Sequence, residues 1–237
     1  MPSTPVTQKN DEVRTAKKQG VDGKTSRKTQ ILVSGPYMEI LIGGPYTKSN
    51  REEVTYGHTA LRVVVDGTDT TYDFGRYGRE WGPFDSRGEG ILKVWNDFSS
   101  FIAGENAYGR QTVGFVYPLE QEEARKIHGF FTGLICSAEN RKSMANAKVY
   151  RLQQNYHATS YNCTTITIDG AQQTGKQIVY NPEAHAKRQG LTFIEDMAAT
   201  GQSRPVHGIF MPADLRSMLE ANTVCPYTKK NIYGQKR

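Results

Sequence analysis

No stretch of the 237 residues approaches the roughly 18 consecutive apolar residues that a membrane-spanning helix needs. The first residues also lack the apolar core of a secretory signal. The expectation is a protein made in the cytoplasm and exported, if at all, by another route. Cysteine is scarce: Cys136, Cys163 and Cys225 are too few and of the wrong parity for a disulfide framework, and none forms a CxxC pair. Reduced thiols follow as the default. With no HExxH motif and no Cys/His group at ligand spacing, the sequence predicts neither metal nor cofactor.

Acidic residues are sparse at both ends. Residues 1–30 hold seven Lys or Arg against three Asp or Glu, and residues 226–237 hold four Lys or Arg and no acid. The formal charge of +6 therefore belongs to the termini, and residues 31–225 carry about −2. A folded nucleic-acid-binding domain would carry its basic stripe on the globular surface, so nucleic acid is not the expected partner. Flexible basic ends can still hold a protein near an acidic polymer, at salt-sensitive strength.

What is present is enough apolar residue, 37% of the chain, to bury a substantial core. Residues 1–28, nearly devoid of large apolar side chains, read as a disordered basic tail. Residues 29–225 read as one domain and residues 226–237 as a second basic tail. Within the domain, residues 31–33 and 38–42 are short strand-like runs, and Gly43-Gly44-Pro45 opens a polar loop. Residues 58–65 and 69–75 read as two strands joined by the strong hairpin signal Asp66-Gly67. Residues 91–95 and 113–117 are further strand candidates bracketing a loop around Phe98 and Phe101. A helix begins after Pro118, with acids in its first turn and an apolar stripe through Ala124, Ile127, Phe131, Leu134 and Ile135. His128 and Cys136 fall on or near that helix and read as packing residues.

The stretch Tyr161-Asn162-Cys163-Thr164-Thr165 places a cysteine where an irregular segment gives way to a predicted helix. A thiol there faces unpaired backbone N–H groups and the positive end of the helix dipole, which favour thiolate and can hold an oxyanion. Taken alone, Cys163 has an equally plain reading as a buried packing residue. Its own helix is contradicted by propensity, because residues 164–168 are β-branched throughout. The hairpin adds a second constellation. A two-residue loop pairs Val65 with Thr68 and Ala60 with Asp73, which puts Asp73 diagonal to His58 on one face of the sheet. Alone, these too read as ordinary strand-end polar residues. Residues 75–90 mix Gly, aromatic and Arg residues. Arg76, Tyr77 and Trp81 there, with Tyr161, are the candidates for substrate binding, although the same composition can simply close a sheet edge.

A Gly57-His58-Thr59 strand start followed about a hundred residues later by Tyr161-Asn162-Cys163-Thr164-Thr165 resembles circularly permuted papain-like cysteine peptidases of the NlpC type. The segment Met211-Pro212-Ala213-Asp214-Leu215 resembles the Pro-capped C-terminal helix that such proteins often carry. The resemblance implies an α+β fold in which an antiparallel sheet packs against the cysteine helix and other helices. It implies Cys163 as nucleophile, His58 as base and Asp73 as the group orienting the imidazole. Other family members place His, Asn, Gln or a backbone carbonyl in that third position. The whole is also similar to bacterial type VI secretion effectors that hydrolyse peptidoglycan. That similarity implies a peptidoglycan peptide substrate, action in the periplasm of a target cell, a secretion apparatus and an immunity protein as partners. An acyltransferase, an isopeptidase or a non-catalytic binding module on the same fold are the alternatives.

Because residues 1–28 cannot form a packed core, their deletion is expected to leave the melting temperature and small-peptide turnover unchanged. A large fall in melting temperature on deletion, followed by circular dichroism, would show an ordered element instead.

Overall fold

In the computed structural model, which describes residues 35–47, 53–54, 56–82, 86–192, 197 and 207–234, the short apolar runs become strands of one large mixed α/β unit. In chain order these are β1 (Tyr37–Gly43), β2 (Tyr46–Thr47), β3 (Glu53–Val54), β4 (His58–Val65), β5 (Thr68–Gly75), β6 (Glu80–Trp81), β7 (Arg87–Gly88) and β8 (Ile91–Trp95). They are followed by β9 (Thr112–Pro118), β10 (Glu139–Asn140), β11 (Ala147–Arg151), β12 (Tyr156–His157) and β13 (Lys229–Tyr233). The described helices are α1 (Phe98–Ala107), α2 (Gln121–Cys136), α3 (Cys163–Gln172), α4 (Pro182–His185) and α5 (Pro212–Ala221). Eight strands form the main sheet in the order β10-β11-β8-β5-β4-β1-β9-β13. Neighbours are antiparallel throughout it.

The β4–β5 hairpin sits in the middle of that sheet. Asp66 and Gly67 both take positive φ, 51° and 74°, as a two-residue turn compatible with strand twist requires. Val65 consequently pairs with Thr68 and Leu61 with Tyr72. Alternation then divides the side chains between two faces. One face joins Met38, Ile40, Leu61, Val63, Phe74 and Phe115 to Ile127 and Phe131 of α2, Ile166 and Ile168 of α3, and Leu215 and Met218 of α5. The other carries a smaller cluster of Leu41, Ala60 and Trp95 with Phe101 of α1.

Helix α2 forms where its periodicity predicts, closed at its N-terminus by a reciprocal pairing of Glu120 and Glu123 with backbone N–H groups. His128 bonds the Tyr72 hydroxyl at 2.6 Å. Cys136 is exposed rather than packed. Nine residues after Ile127, it lies half a rotation away from the buried stripe.

Two expectations are corrected. The segment around Phe98 and Phe101 is helix α1 rather than loop, because the Asp97 side chain accepts from the Ser99 N–H at 3.0 Å and caps it. The region 226–237, expected to be a basic tail, contains strand β13, which pairs with β9 from Lys229↔Val116 to Tyr233↔Thr112. Charge counting missed what β13 delivers. Glu39, fully buried on β1, accepts from Arg62 Nη1 at 2.9 Å, Asn231 Nδ2 at 2.7 Å and the Tyr233 hydroxyl at 2.8 Å. A Cβ on Gly114 would collide with the Glu39 carboxylate, so glycine is what leaves room for it. The tail assigned to residues 1–28 and the run at 31–33 lie outside the described residues.

Removing one donor from a buried carboxylate costs about 1–3 kcal/mol. Tyr233→Phe and Asn231→Ala are each expected to lower stability by about that amount, and truncation before Lys229 by more, since β9 also loses its edge partner. Urea unfolding of the three proteins checks this; unchanged midpoints would show β13 to be dispensable.

Candidate functional site

Gly57 takes φ +67° and a Cβ there would lie 2.6 Å from the Gly43 carbonyl, so only glycine fits this approach to the sheet. It places His58 at the first position of β4, opposite Gly43. The β4–β5 register carries Asp73 to the same face, and His58 Nε2 lies 2.7 Å from Asp73 Oδ1. Both residues are buried, at 7% and 3% exposure.

Cys163 is the first residue of α3, and that helix forms against propensity. The preference against β-branched residues is about 0.5 kcal/mol each, whereas burying an Ile side chain contributes about 1.5–3 kcal/mol. Ile166 and Ile168 are buried, and the Thr167 hydroxyl reaches that of Thr59 on β4 at 3.4 Å. The start of α3 is fixed by Asn162. Its Oδ1 accepts from the Thr165 N–H at 3.0 Å, its N–H donates to Thr165 Oγ1 at 2.8 Å, and its Nδ2 donates to the Phe210 carbonyl at 2.9 Å. This cap occupies the N–H of Thr165. At the first helical position the N–H of Cys163 has no partner within the helix. Gly175, at φ +74°, lies three residues beyond the last helical residue.

His58 and Thr59 are the groups that act most strongly in favour of the charged form of the Cys163 thiol. With Nε2 committed to Asp73, Nδ1 is the imidazole nitrogen left to face the sulfur. The electrostatics follow from this chain of contacts. Burial pushes the Cys163 thiol up, but the hydrogen bond and positive charge of His58 together with Thr59 bring it down to about 7. Burial disfavours the charged imidazole of His58, yet the Asp73 carboxylate and Cys163 outweigh that and raise it to about 10. Burial also opposes the Asp73 charge, but His58, Lys93 and Tyr77 hold the carboxyl down at about 2. Both shifts favour the thiolate–imidazolium form of the pair.

Three donors converge on Asp73. Besides His58, the Tyr77 hydroxyl donates to Oδ1 at 2.7 Å and Trp95 Nε1 donates to Oδ2 at 3.1 Å. Tyr77 also lies edge-on to the His58 ring, its hydroxyl 3.2 Å from Nε2. Lys93 Nζ sits 3.1 Å above the centre of the Tyr77 ring. Tyr77, expected to bind substrate, is thus built into the support of Asp73 while part of its ring stays exposed. Trp95 and Lys93 were not singled out by sequence reasoning. The available signal was the strand pattern of residues 91–95, which places both on the Asp73 face once β8 pairs with β5.

The other expected substrate contacts divide. Arg76 lies beside the site, its guanidinium 5.5 Å from the Tyr156 ring centre. Tyr156, also not anticipated, has its hydroxyl pKa raised by burial and then by the charge of Cys163. Trp81 lies on β6 in the small sheet β12-β7-β6, under the guanidinium of Arg79. Tyr161, two residues ahead of Cys163, meets the Phe74 ring edge-on at 5.2 Å and bridges to His157. Among the described residues no group of three His, Cys, Asp or Glu side chains is arranged to hold a metal ion, and no helix is long and apolar enough to cross a membrane.

No family model, curated protein or solved structure matches the chain.

Alkylation of Cys163 by iodoacetamide should rise with pH through a midpoint near about 7, because the thiol pKa is lowered to that value and only thiolate reacts. In His58→Ala, burial becomes the dominant influence and the midpoint should move above the ordinary thiol value. An unmoved midpoint would show that His58 does not set the thiol's charge.

Proposed function

We propose that the protein is a cysteine amidase or endopeptidase, with Cys163 as nucleophile, His58 as acid and base, and Asp73 as the positioning residue for His58. The observation that carries this is the buried Asp73–His58 contact at 2.7 Å, together with a buried Cys163 thiol whose proton affinity His58 lowers. In this mechanism the Cys163 thiolate attacks the carbonyl carbon of an amide. The developing oxyanion meets the Cys163 N–H at the start of α3. The His58 imidazolium, through Nδ1, then protonates the leaving amine as the C–N bond breaks, giving a thioester. Neutral His58 takes a proton from water, which attacks the thioester, and the released sulfur leaves as thiolate with an acid product.

Two finer readings belong with this proposal. The antiparallel sheet bearing His58 and Asp73 comes before the cysteine helix in the chain and packs against it, which supports a circularly permuted papain-like fold. The choice of peptidoglycan peptides as substrate, with delivery by a type VI secretion apparatus and protection by an immunity protein, rests on the resemblance of the His58 and Cys163 motifs.

Cys163→Ala and His58→Ala should each remove nearly all release of amine from purified peptidoglycan, and the double variant should be little worse than either. Fused to an export signal, the protein should lyse bacterial cells, and the same fusion carrying Cys163→Ala should not. Turnover by folded Cys163→Ala would overturn the nucleophile assignment. Strong toxicity of the unexported protein would move the target to the cytoplasm.

A further inference from the structure

Arg76 is the strongest feature that the catalytic arrangement leaves unexplained. It follows β5 directly, three residues beyond Asp73, and its aliphatic stem is seated. A Cβ on Gly88 would come within 3.3 Å of Arg76 Cγ. Its guanidinium lies over the Tyr156 ring at 5.5 Å. Among the described residues Nη1 has no hydrogen-bond partner although it is buried. The nearest carboxylate, Glu80 Oε2, is 3.8 Å away, too far for a hydrogen bond, and its side chain is 39% exposed. A pair of that kind contributes little. The guanidinium is thus held over Tyr156 with no hydrogen bond from Nη1 to a carboxylate, and the side chain as a whole is 26% exposed.

Its place near the thiol comes from the chain and the rings: Arg76 directly follows β5, which carries Asp73, and Tyr156 stacks on Phe74 of that strand, whose other ring partner is Tyr161, two residues before Cys163. Tyr156 also feels the charges of both Cys163 and Arg76. A cation fixed by stacking on one side of a reactive sulfur is what recognition of an anion next to the scissile bond requires, and the planar fork matches a carboxylate in particular.

We propose that Arg76, stacked on Tyr156, is the specificity-determining residue of the Cys163 site and selects amides whose neighbouring residue carries a free carboxylate. This rests on the cysteine-hydrolase reading and names its substrate class. On binding, the substrate carboxylate takes the plane of the guanidinium and Glu80 gives way. Glu80 acts as the resident competitor.

Alkylation of the full chain tests this without knowledge of the natural substrate. Iodoacetate and iodoacetamide both transfer a two-carbon group to the Cys163 sulfur and release iodide, and they differ in that only the first carries a carboxylate. The ratio of their rates at Cys163, measured by mass spectrometry against glutathione as reference, reports an anion site beside the thiolate. His58 contributes equally in all variants, so the change on substitution isolates Arg76. In Arg76→Gln the ratio should fall by about fivefold, the effect of one charge several Å away at intermediate dielectric, with the iodoacetamide rate unchanged. Arg76→Lys should keep part of the preference, and Glu80→Gln should raise it. A ratio that Arg76→Gln leaves unchanged overturns the proposal, whether or not both reagents slow together. If wild-type Cys163 reacts no faster than glutathione but the ratio still falls in Arg76→Gln, the hydrolase reading fails and the anion site stands.

Discussion

The two-residue turn at Asp66-Gly67 is the constraint on which the rest of this structure depends. Strand side chains alternate faces with period two, so a turn one residue longer would move every partner of β4 to the opposite side. With the turn as it is, Leu61, Val63, Tyr72 and Phe74 enter the main core, and His58 and Asp73 emerge together on the reverse face. The same parity, carried one strand further by the β5–β8 pairing of Thr71 with Trp95 and Asp73 with Lys93, brings the indole N–H and the ammonium to that face. A single local geometry thus decides both where the core lies and which polar groups meet.

Helix α3 joins the two faces at one end of the sheet. It packs its Ile residues with the main core, yet it meets the start of β4 through Thr167 and Thr59, so that His58 and Thr59 act on the thiol of its first residue. Asn162 makes this possible by bonding in three directions, to Thr165 in the helix and to the carbonyls of Ala158 and Phe210 outside it. The helix start is therefore tied both to the approaching loop and to the segment that leads into α5. The position of the sulfur is set by a cap and two carbonyls rather than by packing alone.

What was legible in the sequence had a short-range physical cause. The hairpin register followed from one dipeptide, α2 from its apolar stripe and first-turn acids, and the start of the cysteine helix from its polar flank. What was not legible depended on partners remote in sequence. Residues 164–168 read as strand until the burial supplied by α2 and β4 is counted. Lys229, Lys230 and the residues after them looked like solvated charge because Glu39, the group that Asn231 and Tyr233 satisfy, is 192 and 194 residues away. Tyr77 was recognised as a site residue, but the bond from its hydroxyl to Asp73 was not foreseen, since composition cannot distinguish an aromatic ring that grips a ligand from one whose hydroxyl fixes a carboxylate.

Two buried carboxylates that the strands carry on the reverse face, Asp73 and Glu39, are satisfied in different ways. Glu39 accepts from Arg62, whose guanidinium also lies 3.7 Å from the Phe98 ring centre, and from two groups on the edge strand. All of its partners are structural, and the arrangement staples β13 to the sheet. Asp73 has neutral donors in Tyr77 and Trp95, and its charged neighbours are the imidazole of His58 and Lys93. A buried pair of this kind is weak evidence of stability, because well-packed apolar residues of the same volume often serve as well or better by about 1–4 kcal/mol. The difference lies in what the carboxylate does to its partner. The Asp73 charge raises the affinity of His58 for a proton, and the proton on His58 in turn lowers the affinity of Cys163 for its own. On the proposed reading, the energetic cost of holding Asp73 ionised in the interior is transmitted through the imidazole to the sulfur, where it appears as a thiolate near neutral pH.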